Sequence, residues 1–552
     1  MSERFDYVIV GAGSAGCLLA DRLSAPGFSV CVLEAGGADR DPLIHVPIGI
    51  GRMHKRRLHD WGYDTEIEPG LAGRAIESMR GKVVGGSSSI NVMTHVRGNR
   101  GDYDRWAANG CPGWSYDEVL PYFRRYESWE GGKDQWRGGL GPLTVSRLKT
   151  EDPFFDALLA AAEDAGFPVT PDYNGASQDG FARGQTTIRD GRRCSAAVAF
   201  LRPALARGKV TLHRRALVTR VLMAGPRAAG VTYRRSGATH EVFAEREVIL
   251  SAGVFNTPQV LMLSGIGPAD HLRQTGIAPI VDLPGVGGNL QDHLAVTLGF
   301  VRRAPGPFHG LMRADRAAVA VARAYLFGTG PATVLPGGVT AFLRTRPDLA
   351  VPDIQLFSRG TALDADLWFP GLRPAFQDGF SLTPVLLHPE ARGRVLLRSD
   401  DPGDKVRIVH NFLAGENDLR SFRAGVRIAR DVAQQKPLDP FRGAEKAPGP
   451  AVADDAAIDA WIRRTARSAH HPSCTCAMGT GADAVLDPEL RVRGVDGLRV
   501  VDAAAMPDLV TGNINGCVLM IAEKAADAIL GGSRATPSSA QPGPVPRSSL
   551  RA

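Results

Sequence analysis

The residues near the start of the chain could bind a dinucleotide. Gly11, Gly13 and Gly16 follow the apolar run 6–10 with the spacing G-x-G-x-x-G, and an apolar stretch with helical spacing comes next. In a strand–turn–helix unit the first glycine allows the tight turn, the second lets the backbone approach a pyrophosphate, and the third lets the helix pack on the strand. The N–H groups and the positive dipole end of that helix would then bind the phosphates.

An acidic residue at the end of the next apolar run completes this motif. The run 30–33 ends at Glu34, whose carboxylate could accept both hydroxyls of an adenosine ribose and would repel a 2′-phosphate. Ser14 and Ala15, between the glycines, and Ala35, after the acid, are the further predicted cofactor contacts. FAD and NAD share this fingerprint, so the motif alone predicts a dinucleotide and leaves its identity open.

A second glycine-rich segment, 80–91, reads RGKVVGGSSSIN. Its small residues would let the backbone come close to a flat or anionic group. The preceding stretch, 35–80, is rich in glycine, proline and charge and contains Trp61. A long irregular excursion in a compact domain is usually functional, so we expect the stretch 35–80 to serve the function of the protein.

A pair of histidines near the carboxyl end could supply a base. His470 and His471 stand directly before Pro472, and imidazole is the side chain best suited to accept a proton near neutral pH. Cys474 and Cys476 follow at a spacing too close for a zinc site without partners, so we predict no metal.

Bulk composition narrows the class of protein. A chain of 552 residues is too long to fold around one hydrophobic core, so we predict two domains. The net charge is +7, but 58 acids nearly match 65 bases and no long basic run occurs, so we predict no nucleic-acid partner. Seven cysteines without a C-x-x-C pair fit a reducing compartment, and no apolar run is long enough to span a membrane. With no room for a signal peptide before the first strand, we expect a cytoplasmic protein.

Four segments spread along the chain share a family resemblance. They are the opening motif and the segments 81–91, 253–267 and 470–479 with 513–515. Together they resemble the glucose-methanol-choline (GMC) oxidoreductases, a family of FAD enzymes, from about residue 5 to residue 530. Val254 departs from the family pattern, in which a smaller residue is usual.

The resemblance implies an α/β fold with an α+β substrate part. A Rossmann-like FAD-binding domain would be interleaved with a substrate domain built on an antiparallel sheet. The predicted FAD-binding segments are 1–155, 205–295 and 465–531, and the predicted substrate-binding segments are 156–204 and 296–464. The serine- and proline-rich stretch 532–552 is predicted to be a disordered tail.

The resemblance also implies further contacts with FAD. Some relatives bond a histidine covalently to the flavin where Ile90 stands here, and isoleucine cannot do this, so the resemblance implies non-covalent FAD. The further implied contacts are Trp61, Gly85, Gly86, Ser87, Asn91, Val92, Val218, Asp502, Ala503 and Asn513.

Alcohol oxidation removes a proton from oxygen and a hydride from carbon. By its position before Pro472, His471 matches the catalytic histidine of the family, and His470 would be structural. Asn515 matches the family position held by His or Asn and would hold the substrate oxygen while flavin N5 takes the hydride. The alternative for Asn515 is that it only caps the last helix.

The substrate and the electron acceptor stay open at this point. The segment 331–339 lacks the glutamate that several choline-binding relatives carry there, which argues against choline. Similarity to sorbose and alcohol dehydrogenases of the family favours a primary alcohol or polyol, with furfuryl or aryl alcohols as alternatives. We expect the electron acceptor to be a quinone or O2. The rival functions are an alcohol oxidase, a photodecarboxylase-like flavoprotein and an NAD-dependent dehydrogenase.

Overall fold

A computed structural model describes residues 3–531, and the predicted tail 532–552 lies outside the described residues. The strands in chain order are β1 (Glu3–Val10), β2 (Val30–Glu34), β3 (Glu127–Trp129), β4 (Leu143–Arg147), β5 (Gly180–Arg183), β6 (Gln185–Thr186), β7 (Ile188–Arg189), β8 (Arg192–Arg193), β9 (Val210–Arg214), β10 (Leu217–Ala224), β11 (Arg227–Arg235), β12 (Ala238–Leu250), β13 (Ile266–Gly267), β14 (Val281–Asp282), β15 (Leu294–Ala295), β16 (Leu298–Arg302), β17 (Gly337–Leu343), β18 (Ile354–Arg359), β19 (Gly379–Leu386), β20 (Arg394–Leu396), β21 (Arg407–Val409), β22 (Arg442–Ala447), β23 (Arg467–Ser468) and β24 (Leu498–Val500).

The helices connect and cover these strands. They are α1 (Ser14–Ser24), α2 (Pro42–His45), α3 (Ile50–Lys55), α4 (Arg100–Ala108), α5 (Tyr116–Tyr126), α6 (Phe154–Asp164), α7 (Arg202–Ala206), α8 (Asn256–Leu263), α9 (Ala269–Gln274), α10 (Pro307–Leu311), α11 (Ala314–Phe327), α12 (Glu416–Gln434), α13 (Asp455–Thr465) and α14 (Asn515–Ile529). Of these described helices, none has the length and apolarity needed to cross a membrane.

The first sheet has a parallel centre. Strand β1 pairs in parallel with β2 and β12, and β9 and β24 extend this arrangement at β2 and β12. Strands β10 and β11 join β12 as an antiparallel extension. All five residues of β2 are buried, as expected for a strand covered on both faces by other elements. The sheet therefore places the turn after β1 at its carboxyl edge, where open α/β sheets bind their ligands.

The second sheet is antiparallel. Its order is β22-β16-β19-β18-β17-β5, and β15 pairs with both β19 and β23. A separate hydrophobic core packs helices α6 and α12 against one face of this sheet, and α13 packs on α12. Because that face is filled with apolar side chains, the other face is left to border the cavity described below. A parallel sheet joined to an antiparallel one confirms the predicted fold class.

The two sheets draw on alternating parts of the chain. The short strands β15 and β23 belong to the antiparallel sheet and lie within three residues of two predicted domain limits, 295/296 and 464/465. They come from segments that the sequence assigned to the FAD-binding domain, so the antiparallel sheet takes residues from both sides of these limits. The domain limits themselves stay a prediction.

Helices α1 and α14 join the two ends of the described chain. They pack together, and Arg22 Nη2 lies 2.6 Å from Oε1 of the buried Glu523. At their amino ends, the Ser14 hydroxyl donates a hydrogen bond to Asn515 Oδ1 at 2.6 Å. The two helix N-termini therefore meet at one place, beside the glycine turn.

Candidate active site

One large cavity, about 1640 Å³, runs between the glycine turn of the first sheet and the open face of the second. Gly13 and Glu34 border it on the nucleotide side, and His471 and Asn513 border it on the substrate side. A single space of this size can hold a dinucleotide and a small substrate together. Most of the residues predicted from sequence line it: Gly11, Gly13, Ser14, Ala15, Glu34, Ala35, Trp61, Gly86, Ser87, Asn91, Val92, Val218, His471, Asp502, Ala503, Asn513 and Asn515.

The three glycines of the opening motif do different things. Gly11 has φ of +100°, and a Cβ there would lie 2.4 Å from the Ser251 carbonyl oxygen. A Cβ on Gly16 would lie 1.9 Å from the Gly11 carbonyl oxygen, so this glycine lets α1 pack on β1. Gly13 meets only the Ser251 oxygen at 4.0 Å, which leaves its position at the N-terminus of α1 open. Gly13 is thus the glycine that makes room for a ligand.

The carboxylate of Glu34 is buried at the wall of the cavity. It accepts hydrogen bonds from the backbone N–H groups of Ala12 at 2.9 Å and Gly36 at 2.7 Å. Burial raises the pKa of Glu34 to about 7, against the effect of these two donors. Each oxygen still has a free lone pair, so the group can also accept ribose hydroxyls.

The second glycine-rich segment packs directly on the first. The Gly85 N–H donates to the Ala12 carbonyl at 2.7 Å, and a Cβ on Gly86 would lie 2.7 Å from the Gly13 Cα. Gly86 begins a 3₁₀ turn, Gly86–Ser89, whose outer residue Ser87 lines the cavity. Further along, the Asn91 side chain is fixed by Arg193, whose Nη1 donates to Asn91 Oδ1 at 2.7 Å.

Gly16 and Gly85 are corrections to the predicted set of cofactor contacts. Neither glycine lines the cavity. Gly16 packs α1 against the Gly11 carbonyl, and Gly85 bonds the second glycine segment to the Ala12 carbonyl of the first. Their contribution is to the shape of the site.

Asp502 is oriented by two backbone donors and one hydroxyl donor. Its Oδ2 accepts from the Gly253 N–H at 2.8 Å and from the Thr257 hydroxyl at 2.6 Å, and its Oδ1 accepts from the Ala504 N–H at 2.7 Å. Burial raises the pKa of Asp502. This carboxylate ties the end of β24 to the turn after β12, and Ala503 beside it faces the cavity.

Trp61 and Val218 complete the predicted nucleotide side. The Trp61 ring stacks on Tyr63 with centroids 6.0 Å apart, and Lys82 Nζ lies 4.3 Å from the Trp61 ring centroid. Val218 lies in β10 and borders the same cavity.

His471 is held from three sides. Its backbone N–H donates to Asp292 Oδ1 at 2.8 Å, its Nδ1 lies 2.9 Å from His293 Nδ1, and its Nε2 lies 2.9 Å from Asn513 Nδ2. Burial lowers the pKa of His471 well below its ordinary value, and the neighbouring His293, Arg80 and His470 lower it further. The ring is therefore neutral at neutral pH, as a proton acceptor must be.

Asn513, and not Asn515, contacts His471. Asn513 precedes the first turn of α14, and its Oδ1 also accepts from Gln355 Nε2 at 3.3 Å. Asn515 is the first residue of α14, and its side chain accepts from Ser14 on the nucleotide side. No side chain caps α14, whose N-cap residue is Ile514, so the capping alternative for Asn515 is wrong too. The two asparagines, which are two residues apart at the start of α14, therefore have each other's predicted positions: Asn513 faces His471 and Asn515 faces the nucleotide side.

Sequence reasoning missed several residues that position the histidine. Asp292 and His293 come from the loop before β15, and Arg80 donates to the His470 carbonyl at 2.6 Å. Burial raises the pKa of Asp292 to about 7 and lowers that of His293 to about 3. An Asp-His pair directly before the apolar run 294–296 is the one signal that could have identified the first two.

The cavity fits FAD at one end and alcohol chemistry at the other. The open Gly13, the converging N-termini of α1 and α14 and the buried Glu34 suit a pyrophosphate and a ribose. A neutral imidazole beside an amide suits a hydroxyl group. Among residues 3–531 no group of three or more His, Cys, Asp or Glu is placed to share a metal ion. These features define a dinucleotide-dependent oxidoreductase.

Comparison with known proteins identifies the family. Family models described as GMC oxidoreductase match residues 5–295 and 389–522. The chain is 42% identical over 545 residues to the oxygen-dependent choline dehydrogenase of Photobacterium profundum, covering 98% of this chain and 95% of that one. It is 43% identical over 543 residues to human mitochondrial choline dehydrogenase, covering 96% and 90%. Among solved structures, pyridoxine 4-oxidase from Mesorbium loti matches with a TM-score of 0.85 at 33% identity, covering 95% and 98%.

The chain belongs to the GMC oxidoreductase family. The predictions of this family, of FAD as the cofactor and of an enzyme that oxidises an alcohol are confirmed.

Proposed function

We propose that this enzyme oxidises a primary alcohol or polyol to the carbonyl compound, with His471 as the base and Asn513 as the group that holds the oxygen. The observation that supports this most directly is the 2.9 Å contact between His471 Nε2 and Asn513 Nδ2 at the cavity wall. Bound FAD would supply the hydride acceptor.

The hydrogen-bond network fixes which ring nitrogen is free to accept a proton. Gln355 Nε2 donates to Asn513 Oδ1, so the amide nitrogen of Asn513 points at His471. An amide NH2 only donates, so His471 Nε2 carries the lone pair and Nδ1 carries the hydrogen. Nδ1–H then donates to His293 Nδ1. A substrate hydroxyl entering between the two groups would donate to Nε2 and accept from the Asn513 amide.

His471 is neutral before the reaction and can therefore take the proton. The buried Arg80 and the two neighbouring imidazoles disfavour a charged His471 before reaction. Asp292 accepts the His471 backbone N–H and so holds the residue in place. Asp292 is therefore a positioning residue that does not itself touch the substrate.

We infer that FAD is held without a covalent bond and that the enzyme is cytoplasmic. Ile90, at the predicted attachment position, is buried and borders the cavity, and its side chain has no nucleophile. The seven cysteines are all buried and unpaired within residues 3–531, which suits a reducing compartment. Release of FAD on denaturation would support the first inference.

The proposed function predicts that alcohols bleach the flavin in the dark without oxygen. The purified holoenzyme would be mixed anaerobically with primary alcohols, polyols, aryl alcohols and choline while flavin absorbance is followed. We expect at least one class of alcohol to bleach the flavin. A quinone should then support turnover in place of oxygen. Hydrogen peroxide formed in stoichiometric amounts under air would identify an oxidase. Bleaching that requires light, or a fatty acid, would overturn the proposal in favour of photochemistry.

The two asparagines are expected to separate catalysis from cofactor binding. Asn513→Ala should slow anaerobic flavin reduction by about 10²-fold, because the hydroxyl loses its donor, while FAD content stays near that of the wild type. Asn515→Ala, the matched control two residues away, should mainly weaken FAD binding, because its contact is with Ser14. Stopped-flow absorbance and FAD titration measure the two effects. The opposite pattern would restore the assignment of catalysis to Asn515.

A further inference from the structure

Two arginines lie on the wall of the cavity formed by the antiparallel sheet. Arg467 begins β23, where Ala295 of β15 is its partner in the register. Arg359 ends β18, opposite Ser381 of β19. Both arginines line the same cavity as His471. Two guanidinium groups are therefore presented to the space in which the substrate must bind.

Within the described chain, neither arginine has a carboxylate partner. The side chain of Arg359 makes no hydrogen bond or ion pair with any other residue from 3 to 531, and within the same range the side chain of Arg467 donates only to the Thr297 hydroxyl, at 3.2 Å. Arg373, which also borders the cavity, is instead 2.9 Å from Asp366 Oδ2. Unpaired guanidinium groups on the wall of a cavity leave several donors available to a ligand.

The two arginines are exposed at the cavity wall, and their positive charges repel each other. Partial desolvation at this wall lowers the pKa of both arginines, and Arg467 lowers that of Arg359 further. The acid that acts on Arg467 is Glu77, which is shared with Arg57 at 3.7 Å and His470 at 4.0 Å. An anion bound between the two guanidinium groups would relieve their repulsion and supply the missing acceptors.

The position of Arg467 is coupled to that of the base. The Ser468 hydroxyl donates to Asp292 Oδ2 at 2.5 Å, and the His471 backbone N–H donates to Oδ1 of the same carboxylate. One side chain therefore fixes both the strand that carries Arg467 and the residue that takes the proton. A substrate bound by Arg467 would therefore have its hydroxyl group held at a fixed position relative to His471.

We propose that the alcohol oxidised by this enzyme carries a carboxylate, which binds between Arg359 and Arg467 while its hydroxymethyl group meets His471 and Asn513. This inference rests on the proposed function and specifies its substrate class. The inference argues against choline as the substrate, because a quaternary ammonium group would face two cations and Ala295, opposite Arg467, offers no negative charge to offset them.

A charge series at constant shape tests this inference. The holoenzyme would be mixed anaerobically with 4-(hydroxymethyl)benzoate, its neutral amide and 4-(trimethylammonio)benzyl alcohol, with choline as a fourth probe. We expect the carboxylate to half-saturate flavin reduction at a concentration at least about tenfold below that of the amide, because charge-assisted hydrogen bonds discriminate by that amount or more. The ammonium compounds should bind more weakly than the amide.

Substitution of each arginine should remove this discrimination. In Arg359→Gln and Arg467→Gln the ratio of amide to carboxylate half-saturation should fall toward one, and Arg467→Lys should restore part of it. Arg273→Gln, which removes an exposed arginine paired with Asp270 on α9, is the matched control and should keep the wild-type ratio. The flavin spectrum of each variant reports whether its site is assembled.

The outcomes distinguish this inference from the proposed function. Equal binding of carboxylate and amide by the wild type, or preferred binding of choline, would overturn the carboxylate site while leaving alcohol oxidation in place. Failure of every alcohol in this series, and of the primary alcohols and polyols in the screen above, to reduce the flavin would overturn both.

Discussion

His471→Ala is expected to lower the rate constant of flavin reduction by an alcohol by about 10³-fold while FAD stays bound. A positioned general base contributes about 10²–10⁴ in rate. The ring touches Asn513 and His293, whereas the predicted contacts with FAD come mostly from the other side of the cavity. Anaerobic stopped-flow absorbance would measure the rate, and the visible spectrum of the resting enzyme would measure bound FAD.

The control for this substitution is His240→Ala, at an exposed histidine of β12 outside the cavity. It should reduce the flavin at the wild-type rate. Wild-type rates in His471→Ala would instead require another base.

The same rate should depend on pH in a particular direction. Only neutral imidazole accepts a proton, and it predominates above its pKa. Because burial and the neighbouring His293, Arg80 and His470 lower the pKa of His471 well below its ordinary value, the rate should stay level as pH falls from 8 to about 6.5. A loss with an apparent pKa of 7 or higher would contradict a buried, neutral base.

Gly13→Val is expected to give a folded protein that binds no FAD. The position is open within the protein, since a Cβ there would have only the Ser251 oxygen near it, at 4.0 Å, and its φ of −81° is accessible to valine. The added side chain would occupy space at the N-terminus of α1, where a pyrophosphate must come within hydrogen-bonding distance of the backbone. The prediction is a colourless protein with the circular dichroism spectrum of the wild-type apoprotein.

Gly481→Val is the matched control, since that glycine is exposed, has open space around it and lies outside the cavity. It should be yellow, with the FAD content of the wild type. A yellow Gly13→Val enzyme would mean that the cofactor does not lie against this turn.

The features that could be predicted from the sequence are local ones. The glycine motif and Glu34 lie within twenty-four residues of one another, and their spacing alone defines a strand, a turn and a helix. His471 could be found because its flanking residues resemble a family motif. By contrast, His293 reaches His471 across 178 positions of sequence, and Arg359 and Arg467 meet the same cavity only because two antiparallel strands present them there. The spacing of residues in the sequence does not predict these long-range contacts.

The exchange of Asn513 and Asn515 shows a second limit of sequence reasoning. Both amides lie in one short turn, and the direction of each side chain depends on the residue at which α14 begins. Helix starts are uncertain by a residue or two when only sequence is available, and here that uncertainty is as large as the distance between the two candidates.

The hydrogen bond between Ser14 and Asn515 spans 501 positions of the chain. During translation, at about 5–20 residues per second, the opening strand therefore leaves the ribosome roughly 25–100 s before the helix that completes its site. Throughout that interval the nascent polypeptide has the glycine turn but lacks α14, so cofactor loading belongs to the final stage of biosynthesis.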